Sequence, residues 1–86
     1  MSRGPARMPL TPRQAEALTA AAHGAPLREV GARLGITREH ASSLLSRAYE
    51  RLDVTYLPRS ERRAAAVRTA IARGLITVQP EESTTP

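Results

Sequence analysis

The sequence predicts an all-α fold, a small single domain of four helices. Three observations carry that expectation. Apolar residues recur at spacings of three and four in four successive stretches, and none alternates as a half-buried strand would. Each stretch is bounded by Gly, Pro or a capping Thr or Ser. Aromatics make up only 2% of the residues, so Ala, Leu, Val and Ile must build a core of small helices lying close together. A chain of 86 residues has room for one domain and its ends. At this size only about 60% of the unfolded surface is buried, too little to wall in a large substrate pocket.

The elements follow in order. Residues 1–9 read as a flexible basic arm, with Arg3, Arg7, Pro5 and Pro9 and little to bury. The domain spans residues 10–76. In its first helix Thr11 caps, Pro12 takes the first helical position and Gln14 completes a T-x-x-Q capping box. Leu10 and Ala15 form the hydrophobic staple, Ala15, Leu18 and Ala22 mark one face, and Gly24 supplies the stop. Pro26 opens a short second helix with Leu27, Val30, Gly31 and Leu34 on its apolar stripe. Gly35 ends it in a position suited to positive φ. Gly31 costs that helix about 1 kcal/mol, and is expected there to let another helix approach closely. Thr37 caps the third helix, which turns Ala41, Leu44, Leu45, Ala48 and Leu52 inward and Arg38, Glu39, Ser42, Ser43, Ser46 and Arg47 outward. After a loop, Pro58 discourages helix at Leu57, and Ser60 is expected to cap a fourth helix that Gly74 stops. Ala64, Val67, Ala70 and Ile71 form its apolar strip, with Arg62, Arg63, Arg68 and Arg73 at other positions. Residues 77–86 read as a disordered tail with an acidic pair.

Charge narrows the partner. The 13 basic residues are all Arg and face 8 acids, for a net +5. Arg favours planar contacts to phosphates and base edges, and a basic small domain points to nucleic acid. An Arg-rich, Ala-rich composition is also what a GC-rich genome produces. From Arg13 to Pro58 six Arg face five acids, so the surplus lies on the arm and the fourth helix. With no Cys and two His, no disulfide, thiolate site or structural zinc is expected, and no cofactor. No apolar run approaches the roughly 20 residues that span a bilayer. The N-terminus lacks the apolar centre of a signal peptide, which gives an expectation of a cytoplasmic, nucleoid-associated protein. Glu29, Glu39 and His40 come nearest to a catalytic set but do not combine nucleophile, base and orienting group, so no enzyme and no small-molecule ligand are expected.

Two helices joined by Gly35-Ile36-Thr37 have the pattern of a helix-turn-helix, which reads DNA with the outward face of its second helix. Arg38, at the leading end beside Thr37, suits guanine acceptors. Glu39 suits cytosine, or orients Arg38. Ser42, Ser43 and Ser46 let the helix backbone approach base edges, and Arg47 suits a phosphate. Thr11 and Arg13, at the start of the first helix, lie where phosphate is favoured. The candidate DNA-binding residues are therefore Thr11, Arg13, Thr37, Arg38, Glu39, Ser42, Ser43, Ser46 and Arg47. Composition leaves open that the serine-rich face is simply solvated.

Four blocks add a resemblance. LTPRQAEAL, from Leu10 to Leu18, is similar to L-T-x-R-E-x-E-V-L. EVGARLGIT, from Glu29 to Thr37, is similar to E-I-A-x-x-L-G-I-S. LSRAYERLDV, from Leu45 to Val54, is similar to L-S-R-I-Y-x-K-L-x-V, and RAAAVRTAIARGLI, from Arg63 to Ile76, to R-x-x-A-V-x-x-A-x-x-x-G-L-I. Together they resemble the GerE/LuxR-type helix-turn-helix domain. The resemblance implies a bacterial transcription regulator, here stand-alone, that binds double-stranded DNA with its third helix. It also implies a homodimer through the fourth helix, with Ala64, Val67, Ala70 and Ile71 as the interface. Ser42 stands where that family commonly has a phosphate-contacting Lys, and TYLPRSER is inserted before the last helix. The opening also resembles sigma factor region 4, with L-T-x-R-x-x-x-L ahead of a similar helix-turn-helix. That second resemblance implies a module that binds RNA polymerase or another regulator rather than reading DNA itself.

Overall fold

The computed structural model describes residues 10–78, and four helices make up its regular structure: α1 (Pro12–Ala21), α2 (Leu27–Leu34), α3 (Arg38–Arg51) and α4 (Arg59–Ala72). The described residues contain no strand, as the sequence predicts. The arm and all but Thr77 and Val78 of the expected tail lie outside the described residues.

Local chemistry sets most of the helix ends. At α1 the capping box is complete: the Gln14 N–H donates to Thr11 Oγ1 (3.2 Å), and the Thr11 N–H donates to Gln14 Oε1 (3.1 Å). Gln14 is only 4% exposed, so its amide is fixed in the box. In α2 the Arg33 guanidinium donates to Glu29 at 2.7 Å across one turn, the order that suits the helix dipole. The end of α2 is a Schellman motif: Gly35 turns left-handed (φ 71°), and the Ile36 N–H returns to the Gly31 carbonyl at 2.8 Å. α3 starts where expected, with the His40 N–H donating to Thr37 Oγ1 at 3.0 Å. It ends in a second Schellman turn with Asp53 in the left-handed position (φ 59°) and the Val54 N–H on the Tyr49 carbonyl at 3.1 Å.

α4 departs from expectation at its start. Ser60 is not the cap. The cap lies two residues earlier, at Pro58, whose carbonyl accepts the Glu61 N–H at 2.8 Å. Proline at φ −57° is already shaped for that turn, which leaves Ser60 inside the helix, where its hydroxyl has no capping geometry. The inserted loop is tied to α4 by Arg62, whose Nε and Nη2 donate to the carbonyls of Leu57 and Thr55, each at 2.8 Å.

The core lies where α1, α3 and α4 meet, with α2 closing it against α1 and α3. Leu18, Val30 and Leu52 are its largest wholly buried side chains. Ala17, Ala21, Ala41, Ala48, Ala66 and Ala70 are each 0% exposed, and their small size lets the helices approach closely. Val54 and Ile76 cover the ends, and Leu10 and Val78 pack at the margin. α4 turns Ala65, Ala66 and Ala70 inward, so the buried face is rotated from the strip that spacing suggested. Ala70 is wholly buried within this chain, Val67 is half-buried, and Ala64 and Ile71 are exposed. Arg63 pins α4 to the α1–α2 loop, donating to the carbonyls of Ala25 (2.6 Å) and Ala21 (3.4 Å).

Candidate nucleic-acid interface

The crossing of α2 and α3 rests on Gly31. A Cβ there would lie 2.8 Å from the Ile36 carbonyl oxygen and 3.0 Å from that of Thr37. The close approach anticipated from Gly31 is thus to the backbone of the turn, and not to the body of another helix. With Gly35 reversing the chain and Thr37 capping immediately afterwards, α3 leaves the turn in a fixed direction.

Successive residues step about 100° around a helix. With Ala41, Leu44, Leu45 and Ala48 buried, Glu39, Ser43, Ser46 and Glu50 point most directly outward, and all four are exposed. Arg38, Ser42 and Tyr49 fall on one flank, and His40 and Arg47 on the other. Arg38, Glu39, Ser43, Ser46 and Arg47 therefore form an open surface as expected. Ser42 is half-buried at the flank and lines a cleft shared with α4.

The remaining candidates sit differently. Thr11 and Thr37 use their oxygens as acceptors for cap bonds, which leaves each hydroxyl proton able to donate outward. The Arg13 guanidinium is engaged by Glu16 (2.7 Å) and the Leu34 carbonyl (3.1 Å), and so braces α1 against the end of α2 while remaining about half exposed. Sequence reasoning passed over Arg28. It lines a cleft with Arg38 where α2 and α3 begin, and no carboxylate pairs with either among the described residues. Its signal was its place in the first turn of α2, just after Pro26.

A short second helix locked by a tight turn to a longer one with a free polar face defines the class: a helix-turn-helix DNA-binding fold. The family model for sigma-70, region 4 matches residues 9–53, and the chain belongs to that family. This is a DNA-binding, transcription-related family and not an enzymatic one. No curated protein and no solved structure matches the chain. The match covers α1, α2 and α3 and stops before α4. No helix among the described residues is long and apolar enough to cross a membrane.

Proposed function

We propose that the protein is a sequence-specific DNA-binding transcription regulator that places α3 in the major groove. The observation that carries this reading is the open face of α3, set on a tight turn that Gly31 and Gly35 permit and flanked by arginines without carboxylate partners. Arg38, Glu39, Ser43 and Ser46 contact bases, Ser42 a base or the neighbouring phosphate, and Arg47, Thr11 and Thr37 the backbone. Arg13 belongs to the backbone group only if a phosphate displaces Glu16 from it.

Selection of genomic DNA fragments by the purified protein at two salt concentrations tests the proposal. A recurrent motif that survives the higher salt supports it. Arg38→Ala should then lose discrimination between sites, while Arg47→Ala weakens all sites alike. Fragments retained without a motif, and lost steeply with salt, refute it.

The finer form of this reading is a homodimer of the GerE/LuxR type, built on Ala64, Val67 and Ile71. Ile71 favours it, because an isoleucine 46% exposed on the surface of α4 is suited to a partner. Half-sites about one helical turn apart in the selected motif would support that dimer. The second reading gives this surface to RNA polymerase or another regulator, and rests on Ile71 together with Tyr56, 81% exposed in the inserted loop. Sedimentation of the wild type and Ile71→Asp separates the two. A dimer lost in the variant supports the first, and a monomer in both supports the second.

A further inference from the structure

α4 lies beyond the residues the family model matches, yet its first turns border the reading helix. Arg59, Arg62 and Arg63 line a cleft of about 220 Å³ with Ser42, Ser46 and Tyr49 of α3. The arginines of this cleft have no carboxylate partner among the described residues, whereas some elsewhere do. Arg13 and Arg33 are paired with Glu16 and Glu29. Arg62 and Arg63 are instead held by neutral backbone carbonyls, and Arg59 by nothing among the described residues. A carbonyl orients a guanidinium without neutralising it. Each guanidinium has five N–H donors. The bonds to Leu57 and Thr55 leave Nη1 of Arg62 unused, and those to Ala21 and Ala25 leave Nε and Nη2 of Arg63 unused. Two fixed cations, a third on a free side chain and two serine hydroxyls thus share one cleft, and the two fixed guanidiniums have little side-chain entropy left to lose when an anion enters.

Its position identifies the anion. Ser42 and Tyr49 occupy the same flank of α3 as Arg38, and Leu27 lines both this cleft and the one that holds Arg28 and Arg38. The five arginines therefore follow one flank of α3, beside the face offered to the groove. A DNA strand bordering that groove presents phosphodiester groups along such a line.

We propose that the cleft between α3 and α4 binds a backbone phosphate of the DNA strand flanking α3, with Arg59 and Arg62 as its cationic donors and Ser42 as a hydroxyl donor. The proposal rests on the major-groove reading above and adds α4 to the DNA-binding surface.

The test uses the full chain and a duplex it selects, with affinity followed from about 50 to about 200 mM salt. Duplexes carrying one neutral methylphosphonate at each flanking position are compared with the unmodified one. Arg59→Gln should lower the slope of log affinity against log salt by about 0.9, on cognate and unrelated duplexes alike. One methylphosphonate position that weakens the wild type should have no effect on that variant. Arg59→Lys should retain the slope, and because Arg59 is exposed and unbonded the melting temperature of both variants should match the wild type. If the slope is unchanged and every methylphosphonate acts equally on wild type and Arg59→Gln, the cleft holds no phosphate, even if Arg38→Ala still abolishes discrimination. An unchanged slope with lost retention of RNA polymerase would give the cleft to a protein carboxylate and overturn the proposal in the same way. Failure of the wild type to retain any duplex at low salt would overturn the major-groove reading together with this one.

Discussion

Gly31→Ala sets two physical rules against each other. By helix propensity alone the change stabilises α2 by about 1 kcal/mol. The new Cβ, however, would stand 2.8 Å from the Ile36 oxygen, 3.0 Å from the Thr37 oxygen and 3.1 Å from the Thr37 carbonyl carbon. These are backbone atoms in a turn held by the Ile36–Gly31 hydrogen bond at 2.8 Å and by the Thr37 cap at 3.0 Å, so none can swing aside as a side chain would. Overpacking of this kind costs about 1–3 kcal/mol. The midpoint of that range, less the propensity gain, leaves a net loss near 1 kcal/mol, or a melting temperature lowered by about 4–8 °C in a domain of this size. The turn must open to fit the methyl group, so α3 is expected to tilt and, on the proposed function, DNA affinity to fall as well. Gly24→Ala is the control. It meets open space, and at φ +85° its strain also lowers stability, but it lies outside the α2–α3 turn and should leave DNA affinity unchanged. Thermal unfolding by circular dichroism and a DNA titration read both effects. A higher melting temperature for Gly31→Ala would refute the argument from close approach.

Two further substitutions test what holds the frame. Arg63→Ala leaves the Ala21 and Ala25 carbonyls without their charged donor, and should cost about 1.5–3 kcal/mol, read as a lower urea midpoint with an unchanged slope. An unchanged midpoint would mean that Arg63 is not what fastens α4 to the α1–α2 loop. Asp53→Gly relieves a left-handed residue at the end of α3 and should raise stability by roughly 0.5–1 kcal/mol in the same titration. A loss of stability would show that the Asp53 side chain outweighs the backbone strain.

The parts of this fold legible in the sequence are those determined within three or four residues. The Thr11–Gln14 box, the Thr37 cap and the Gly35 reversal each need only near neighbours, and each forms as its residues suggest. The start of α4 was misread because Pro58 and Ser60 are both plausible signals, and the fixed φ of proline outweighed the hydroxyl. The buried face of α4 was obscured by Ala64-Ala65-Ala66, a run with no contrast between inward and outward positions. The brace from Arg63 joins residues 38 and 42 positions apart, and no local pattern reports that. The expected open face of α3 was recovered except at Ser42, which α4 half covers.

On the major-groove reading proposed above, the way charge is divided across α3 predicts a role for Glu39 that can be separated from its neighbours. The most outward positions are Glu39, Ser43, Ser46 and Glu50, so the centre of the face is uncharged or acidic, while arginines occupy the flanks. Flanking arginines attract any DNA, since every duplex presents the same phosphates. A carboxylate at the centre is repelled by those phosphates and tolerated only where a base offers it a donor, as cytosine does. Glu39 is then expected to lower affinity for unrelated DNA more than for the cognate site, so its contribution is selectivity rather than strength. Glu39→Gln should bind unrelated duplexes more tightly at low salt, and should lose about 1–3 kcal/mol of preference at one base pair of the selected motif. Titration of the cognate duplex and its single-base variants at two salt concentrations reads both changes. If Glu39→Gln instead lost discrimination as Arg38→Ala does, with no tighter binding to unrelated duplexes, Glu39 would be acting only to orient Arg38, and the separation of selectivity from attraction along α3 would be wrong.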